Sequence, residues 1–126
     1  MGPLQLFKVA SQHNQWLAVR QSTIAGNIAN VNTPGFKALD TEPFEIALES
    51  TRLAMASPRS GHMTFAAAGV PVREVRQEEA WEVMHSGNTV SLEQELIKAG
   101  DINRSFSLNT SVIKAFHRML LASSKG

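Results

Sequence analysis

One stretch constrains the fold of this chain more than any other: a helical pattern that runs directly into a Pro-Gly turn. It reads T-I-A-G-N-I-A-N-V-N-T-P-G-F-K over residues 23–37. Ile24, Ile28 and Val31 fall on one helical face, at spacings of four and three residues. The stretch therefore predicts a helix with one apolar face and a definite end.

The residues of the turn fix where that helix stops. Thr33 precedes a proline, which disfavours the helical backbone region for Thr33. Pro34 and Gly35 fit the two central positions of a type II turn, because proline presets its own φ and glycine accepts the positive φ that follows. Three asparagines can bond the backbone groups freed at a helix end: Asn27, Asn30 and Asn32.

The letters N-I-A-N-V-N-T-P-G-F-K, residues 27–37, resemble the signature of bacterial flagellar axial proteins, the rod and hook components. That signature usually has tyrosine where this chain has Phe36, and often asparagine where it has Gly26. Neither difference alters the predicted turn, although Gly26 weakens the helix by roughly 1 kcal/mol relative to alanine.

Length and composition indicate one domain with a modest core. The chain has 126 residues, of which 43% are hydrophobic and 18% charged, and this is not the composition of a disordered protein. The net charge is +1 with no basic stripe, so we expect no nucleic-acid partner. No apolar run is long enough to span a membrane, and the N-terminus lacks the pattern of a signal peptide. Without cysteine there are no disulfides and no thiol chemistry.

Residues 4–31 are predicted to form one long helix. Its seam positions alternate spacings of three and four and are mostly apolar, which is typical of a coiled coil. The polar members Asn14 and Gln21 either fix the register or face water. Trp16 and Val19 lie off the seam and either widen it into an ordinary core or contact a second partner. The seam positions are Phe7, Ala10, Asn14, Leu17, Gln21, Ile24, Ile28 and Val31.

A shorter helix is predicted over residues 38–56. Asp40 or Thr41 can cap it, and Pro43 suits its first turn. The composition of residues 57–61 then indicates a loop.

The rest of the middle segment predicts extended structure. Residues 66–69 give no definite prediction and could be mobile. The patterns of residues 70–72 and 80–84 predict two short strands, which would pair as a small hairpin. Residues 86–88 indicate a turn.

A second long helix is predicted to begin after Ser91. Ser91 and Gln94 fit a capping box, in which the serine hydroxyl and the glutamine side chain satisfy free amides. Both long helices would span roughly 40–45 Å, so they are best explained as a pair, with apolar surface left over for other subunits. The apolar stripe of this helix is Leu92, Leu96, Ala99, Ile102, Phe106, Asn109, Ile113, Phe116 and Leu120.

A second resemblance lies at the start of this helix. Residues 85–96, H-S-G-N-T-V-S-L-E-Q-E-L, are similar to the segment that opens the C-terminal helix in proximal rod proteins of the flagellum. Ser91 stands in place of the usual acidic cap, and residues 102–106 depart from the usual pattern. On both matches the chain is identified as a member of the flagellar basal-body rod protein family, most like its proximal rod proteins. The short middle segment argues against the hook protein and the distal rod proteins.

This resemblance implies a mainly α fold, in which two long terminal helices form an antiparallel coiled coil around a short middle segment of helix, loop and small β-hairpin. The segments 1–37, 38–88 and 89–126 would form one structural domain. The implied function is a structural subunit of the proximal rod, a helical tube that transmits torque and passes export substrates. The alternatives are another short rod component, or a soluble helical adaptor that binds a partner helix.

The resemblance also implies a location and partners. The subunit would leave the cytoplasm through the flagellar type III export apparatus, without a cleaved signal peptide, and would assemble in the periplasmic part of the basal body. Its partners would be further copies of itself, other rod subunits and, at the rod base, the export gate, an adaptor and the membrane ring.

The sequence predicts no enzyme, and no catalytic, cofactor-binding or metal site. The four histidines lack metal-binding spacing, no glycine-rich phosphate loop follows a strand, and we expect no small-molecule substrate. The predicted functional residues therefore belong to assembly. The predicted interface is Phe7, Leu17, Ile24, Ile28, Val31, Leu96, Ile102, Phe106, Ile113, Phe116 and Leu120, and the family turn is Asn27, Asn30, Asn32, Thr33, Pro34, Gly35 and Phe36.

Overall fold

The computed structural model describes residues 3–55, 70–76, 79–81 and 83–125. The mainly helical class predicted from the sequence is confirmed, with a long helix at each end of the chain and a small two-stranded sheet between them. None of the described helices is long and apolar enough to cross a membrane. In chain order the elements are α1 (Pro3–Ala29), β1 (Leu39–Thr41), α2 (Phe44–Met55), β2 (Val72–Glu74) and α3 (Leu92–Ser124).

The two long helices lie against each other and run antiparallel. Residue numbers rise along α1 where they fall along α3, as the contacts spaced along the pair show. These contacts join the rings of Phe7 and Phe116 (centroids 5.5 Å apart), the side chains of Asn14 and Asn109 (2.9 Å), and those of Asn27 and Glu95 (3.0 Å).

The main core is the seam between these helices. Leu17 and Ile24 of α1 and Ile102 of α3 are almost fully buried. Burial of each such side chain stabilises the fold by about 1.5–3 kcal/mol. The partly buried residues packed around them are Trp16, Ile28, Ala99 and Phe106.

The predicted stripe of α3 is wrong in its first turn and right from Ala99 onward. Leu92 and Leu96 are exposed, whereas Glu95 is buried and faces α1. The prediction placed the leucines against α1 because it used hydrophobicity alone. The structure turns Glu95 inward because its carboxylate accepts a hydrogen bond from Asn27 and lies near the ammonium group of Lys98.

The middle segment does contain a small antiparallel sheet, but of the two predicted strands only the first takes part in it, through Val72. The sheet pairs β1 with β2, and residues 83–84 are not in a strand. β1 lies where the sequence predicted the start of a helix. Its backbone partners are more than thirty residues away, and such a short strand leaves no local periodicity. The aligned residues are Leu39 with Glu74, Asp40 with Arg73, and Thr41 with Val72.

The shorter helix therefore begins later than predicted. The Pro43 carbonyl accepts the amides of Ile46 and Ala47, both at 3.1 Å, and α2 begins at Phe44. Asp40 and Thr41 do not cap it, because they belong to β1. The predictions for residue 56 and for residues 57–61 and 66–69 lie outside the described residues.

Candidate functional site

The predicted turn after α1 is confirmed. The Phe36 amide donates to the Thr33 carbonyl at 3.2 Å, and Gly35 has a φ of 75°. A Cβ on Gly35 would meet no atom within 4 Å. Glycine is therefore required by the backbone conformation and not by lack of space.

Asn27 joins three segments of the chain. Its Oδ1 accepts the Leu39 amide at 3.0 Å, and its Nδ2 donates to the Leu39 carbonyl at 2.7 Å. The same Nδ2 donates to Glu95 Oε2 at 3.0 Å. α1, β1 and α3 therefore share one buried carboxamide.

Asn88 has a matching role from the other side. Its Nδ2 lies 2.7–3.1 Å from the carbonyl oxygens of Asn30, Val31 and Thr33, in the turn that follows α1. Its Oδ1 accepts the Val90 amide at 2.8 Å. Residues 86–88 form the predicted turn, with Gly87 at a φ of 81°.

Thr89 ties the chain that leaves the turn to the chain that leads into α3. Its amide donates to the Phe36 carbonyl at 3.1 Å, and its hydroxyl accepts the Ala38 amide at 2.9 Å. A small apolar cluster closes this region, with Ala38, Val75 and Val90 buried and Val31 and Phe36 packed against them. We call residues 26–42 and 87–98 the helix joint.

A group of three charges lies on one side of the helix joint. Arg20 binds both carboxylate oxygens of Asp40, at 3.0 and 3.3 Å, and Lys98 lies 3.3 Å from Asp40 Oδ2. Burial of Asp40 raises its pKa, but the hydrogen bond and charge of Arg20, the charge of Lys98 and the Thr41 amide outweigh burial. The net effect holds the pKa of Asp40 below its ordinary value.

Trp16 belongs to the core of its own chain. Its Nε1 donates to the Glu42 carbonyl at 2.8 Å, and its ring packs edge-on against Phe44. Of the two alternatives for this residue, a wider core or contact with a second partner, the structure supports the wider core. The polar seam residues differ from each other: Asn14 accepts a hydrogen bond from Asn109, and Gln21 is exposed.

The predicted capping box is half right. Ser91 Oγ accepts the Gln94 amide at 3.4 Å, as expected for an N-cap. The Gln94 side chain does not return to Ser91. It donates instead to the Glu79 carbonyl at 3.0 Å and so holds residues 79–81 against α3.

The structure places most of the predicted interface residues in the seam between α1 and α3. Leu17, Ile24 and Ile102 are buried there, Val31 lies in the helix joint, and Leu96 faces solvent. The remaining ones are partly buried: Phe7, Ile28, Phe106, Ile113, Phe116 and Leu120. In the family turn, Asn27 is buried, Asn30 and Phe36 are partly buried, and Asn32, Thr33, Pro34 and Gly35 are exposed.

The sequence analysis did not predict a second apolar face of α3, which lies away from α1. Leu108 follows Phe106 by two residues and therefore lies about 200° around the helix from it. Leu108 is 64% exposed and Met119 is 65% exposed. The spacing of four, three and four from Leu108 to Met119 was the available signal. We call Ile97, Leu108, Val112, Ala115 and Met119 the outward face of α3; all five are exposed.

The polar side chains of the helix joint make structural hydrogen bonds. They contain no group of three or more His, Asp or Glu residues that could hold a metal ion. Every buried side-chain nitrogen or oxygen among them has a hydrogen-bond partner. The helix joint is therefore a fully satisfied polar connection between the two ends of the chain.

Two comparisons with known proteins agree with each other. The family described as "Flagella basal body rod protein" matches residues 8–37, which include most of α1 and the whole turn. The chain is also similar to the flagellar basal body rod protein FlgB of Agrobacterium fabrum. The two are 40% identical over 129 aligned positions, which cover 99% of this chain and 96% of that protein.

Proposed function

This chain belongs to the family of flagellar basal-body rod proteins and is a structural subunit of the rod, and from this premise we propose that it assembles laterally through the outward face of α3. One observation carries the proposal: from Leu108 to Met119 this face is apolar and exposed, and the other side of the helix is already packed on α1. An exposed apolar face of this kind is typical of a protein interface.

The geometry of the outward face suits a neighbouring helix. Leu108, Val112, Ala115 and Met119 repeat at the spacing that lets one helix pack its side chains between those of another. The predicted interface residues in the seam would act differently. They would hold α1 and α3 together, so that α3 stays straight and its outward face can contact a neighbouring subunit. Leu96 is exposed and would contact a neighbour directly.

We further propose that the subunit belongs to the proximal part of the rod. There it would form a helical tube with copies of itself and with other rod subunits, and would meet the export gate, the rod-base adaptor and the membrane ring. A contact between unlike faces, repeated by rotation and translation, builds such a tube. The tube would transmit torque and pass export substrates. The subunit would reach the periplasm through the flagellar export apparatus without a cleaved signal peptide, and it would catalyse no reaction.

The test compares Leu108→Asp and Met119→Asp with Ser107→Asp, an exposed control on the same helix. The purified monomers should have the same helix content and melting temperature. In cells the two face variants should reach the periplasm at normal levels but be absent from purified basal bodies, and the cells should not swim. The control should assemble and swim. Incorporation of both face variants at the control level would overturn the proposed interface.

The same preparations test the remaining proposals. Mass spectrometry of the periplasmic protein should find the encoded N-terminus, with or without the first methionine, and a shorter start would contradict export without cleavage. Sedimentation of the chain with basal bodies distinguishes a rod subunit from a soluble adaptor, which would stay in the cytoplasmic fraction with its partner helix.

A further inference from the structure

We propose that the helix joint folds as one cooperative unit, because the two ends of the chain each hold the other in place. We call this arrangement the latch. The segment before α3 binds the turn that follows α1, and the end of α1 in turn fixes β1 and the first turn of α3. Asn88 and Asn27 are the two residues that close it. This inference does not depend on how the subunit assembles.

The first half of the latch is a set of long-range hydrogen bonds to the turn that follows α1. Within α1 the carbonyls of Gly26, Asn27 and Ile28 are satisfied locally by the amides of Asn30 and Val31. Beyond the helix, the carbonyl oxygens of Asn30, Val31 and Thr33 converge on the Nδ2 of Asn88, which lies 55–58 residues further along the chain. Asn88 is only 1% exposed, so water does not take this place.

The second half of the latch runs in the opposite direction. Asn27 lies in the last turn of α1 and has no exposed surface. It binds the amide and the carbonyl of Leu39 and donates to Glu95, which is 68 residues away. The N-terminal half therefore fixes the start of α3, just as the C-terminal half fixes the turn after α1.

Reciprocity makes the two halves depend on each other. If residues 88–95 are undocked, the carboxamide of Asn27 loses Glu95 and the carbonyls after α1 lose Asn88. If β1 is undocked, the Thr89 hydroxyl loses the Ala38 amide and Asn27 loses Leu39. A buried polar group without a partner is costly, so partly formed states of the joint are unstable. The joint should therefore open and close as a whole.

Amide hydrogen exchange on the full-length monomer tests this coupling at positions that each substitution does not touch. Asn88→Ala should raise exchange of the Leu39 amide, which Asn27 binds. Asn27→Ala should raise exchange of the Val90 amide, which Asn88 binds. We expect an increase of about tenfold or more in each case, by a similar factor across the joint.

The controls separate coupling from general loss of stability. Asn109→Ala removes a polar contact in the middle of the helix pair. It should raise exchange in the joint no more than in the middle of α1. If either alanine variant unfolds, Thr89→Val provides the test instead. Valine keeps the shape of the threonine side chain and removes only the acceptor of the Ala38 amide. It should still raise exchange at both Leu39 and Val90, by about fivefold. An effect confined to Ala38 for Thr89→Val, or to the directly bound amides for the asparagine variants, would overturn the latch.

Discussion

The carboxamide nitrogen of Asn27 lies 3.0 Å from a carboxylate oxygen of Glu95, and neither side chain has appreciable contact with solvent. At this end of the helix pair, a buried polar contact between α1 and α3 adds to the apolar packing of Ile28 and Ala99. A shift of one helix along the other would leave both groups buried without partners. We infer that this contact fixes the register of the pair.

Substitution of Asn27 by aspartate should destabilise the chain strongly. The new carboxylate would face Glu95 and the Leu39 carbonyl and would lose the donor that both now use. We expect a loss of about 3 kcal/mol or more in the free energy of unfolding at pH 7. Asn32→Asp, on the exposed part of the same turn, should change stability by about 0.5 kcal/mol or less. Urea unfolding followed by circular dichroism measures both, and equal effects would place Asn27 outside the buried contact.

Two glycines should respond in opposite directions to the same change. Gly35→Ala should cost about 1–2 kcal/mol because the residue has a positive φ, and Gly35→Val should cost more. Gly26→Ala should instead add about 0.5–1 kcal/mol, since Gly26 lies within α1 and a Cβ there meets no atom within 4 Å. Thermal unfolding of the variants gives the order. If Gly35→Ala were as stable as the parent chain, the turn would differ from the one described.

The family turn also gives a prediction for assembly. A strained residue at position 35 would misdirect the chain in every subunit of the proposed tube. Cells with Gly35→Val should therefore export the subunit but fail to swim in soft agar. Gly35→Asn should be milder, because asparagine tolerates the left-handed region. Swimming of the valine variant at the asparagine level would mean that this geometry does not matter to the rod.

The charge group around Asp40 predicts a loss of stability in acid. Because the folded pKa of Asp40 is lowered, its stabilisation is complete above the unfolded pKa of about 3.9 and is lost as the pH falls through the lower folded value. Asp40→Asn should cost about 2 kcal/mol at pH 7, and the difference from the parent chain should shrink below about pH 4. Asp101→Asn, in an exposed pair with Arg104, should have a small effect. A constant difference for Asp40→Asn between pH 7 and pH 3 would contradict the ion-pair explanation.

The far end of the helix pair can be tested by a double-mutant cycle. The rings of Phe7 and Phe116 meet edge to face. Alanine at both positions should show a coupling energy of about 0.5–1.5 kcal/mol. The pair Phe7 and Phe106 is a control, because the two lie about 15 Å apart along the bundle and should not couple. Equal coupling in the two cycles would mean that the register of the helices differs at this end.

The sequence was informative where a structural feature depends on neighbouring residues. Thr33, Pro34 and Gly35 predicted the turn correctly, because allowed backbone angles are a local property. The long helices were predicted from their periodicity, and the serine cap from a hydroxyl three residues before the amide it binds. The wrong predictions concern residues whose position depends on a partner that is distant in the sequence. Asp40 was interpreted as a helix cap, but Arg20 and Lys98 hold it in a strand. Glu95 was left out of the predicted buried stripe of α3, but Asn27 turns it inward.

The sequence by itself determined the two helices, the stop between them and the family of the chain, since these rest on local backbone preferences and on a contiguous motif. Only the tertiary structure decided which polar residues are buried. Asn27, Asn88 and Glu95 are all residues that usually lie at the surface, and each is buried here because its partners come from other segments. The free energy lost when such a group leaves water is compensated only by hydrogen bonds to those distant segments. No pattern along the sequence indicates which distant segments will come together.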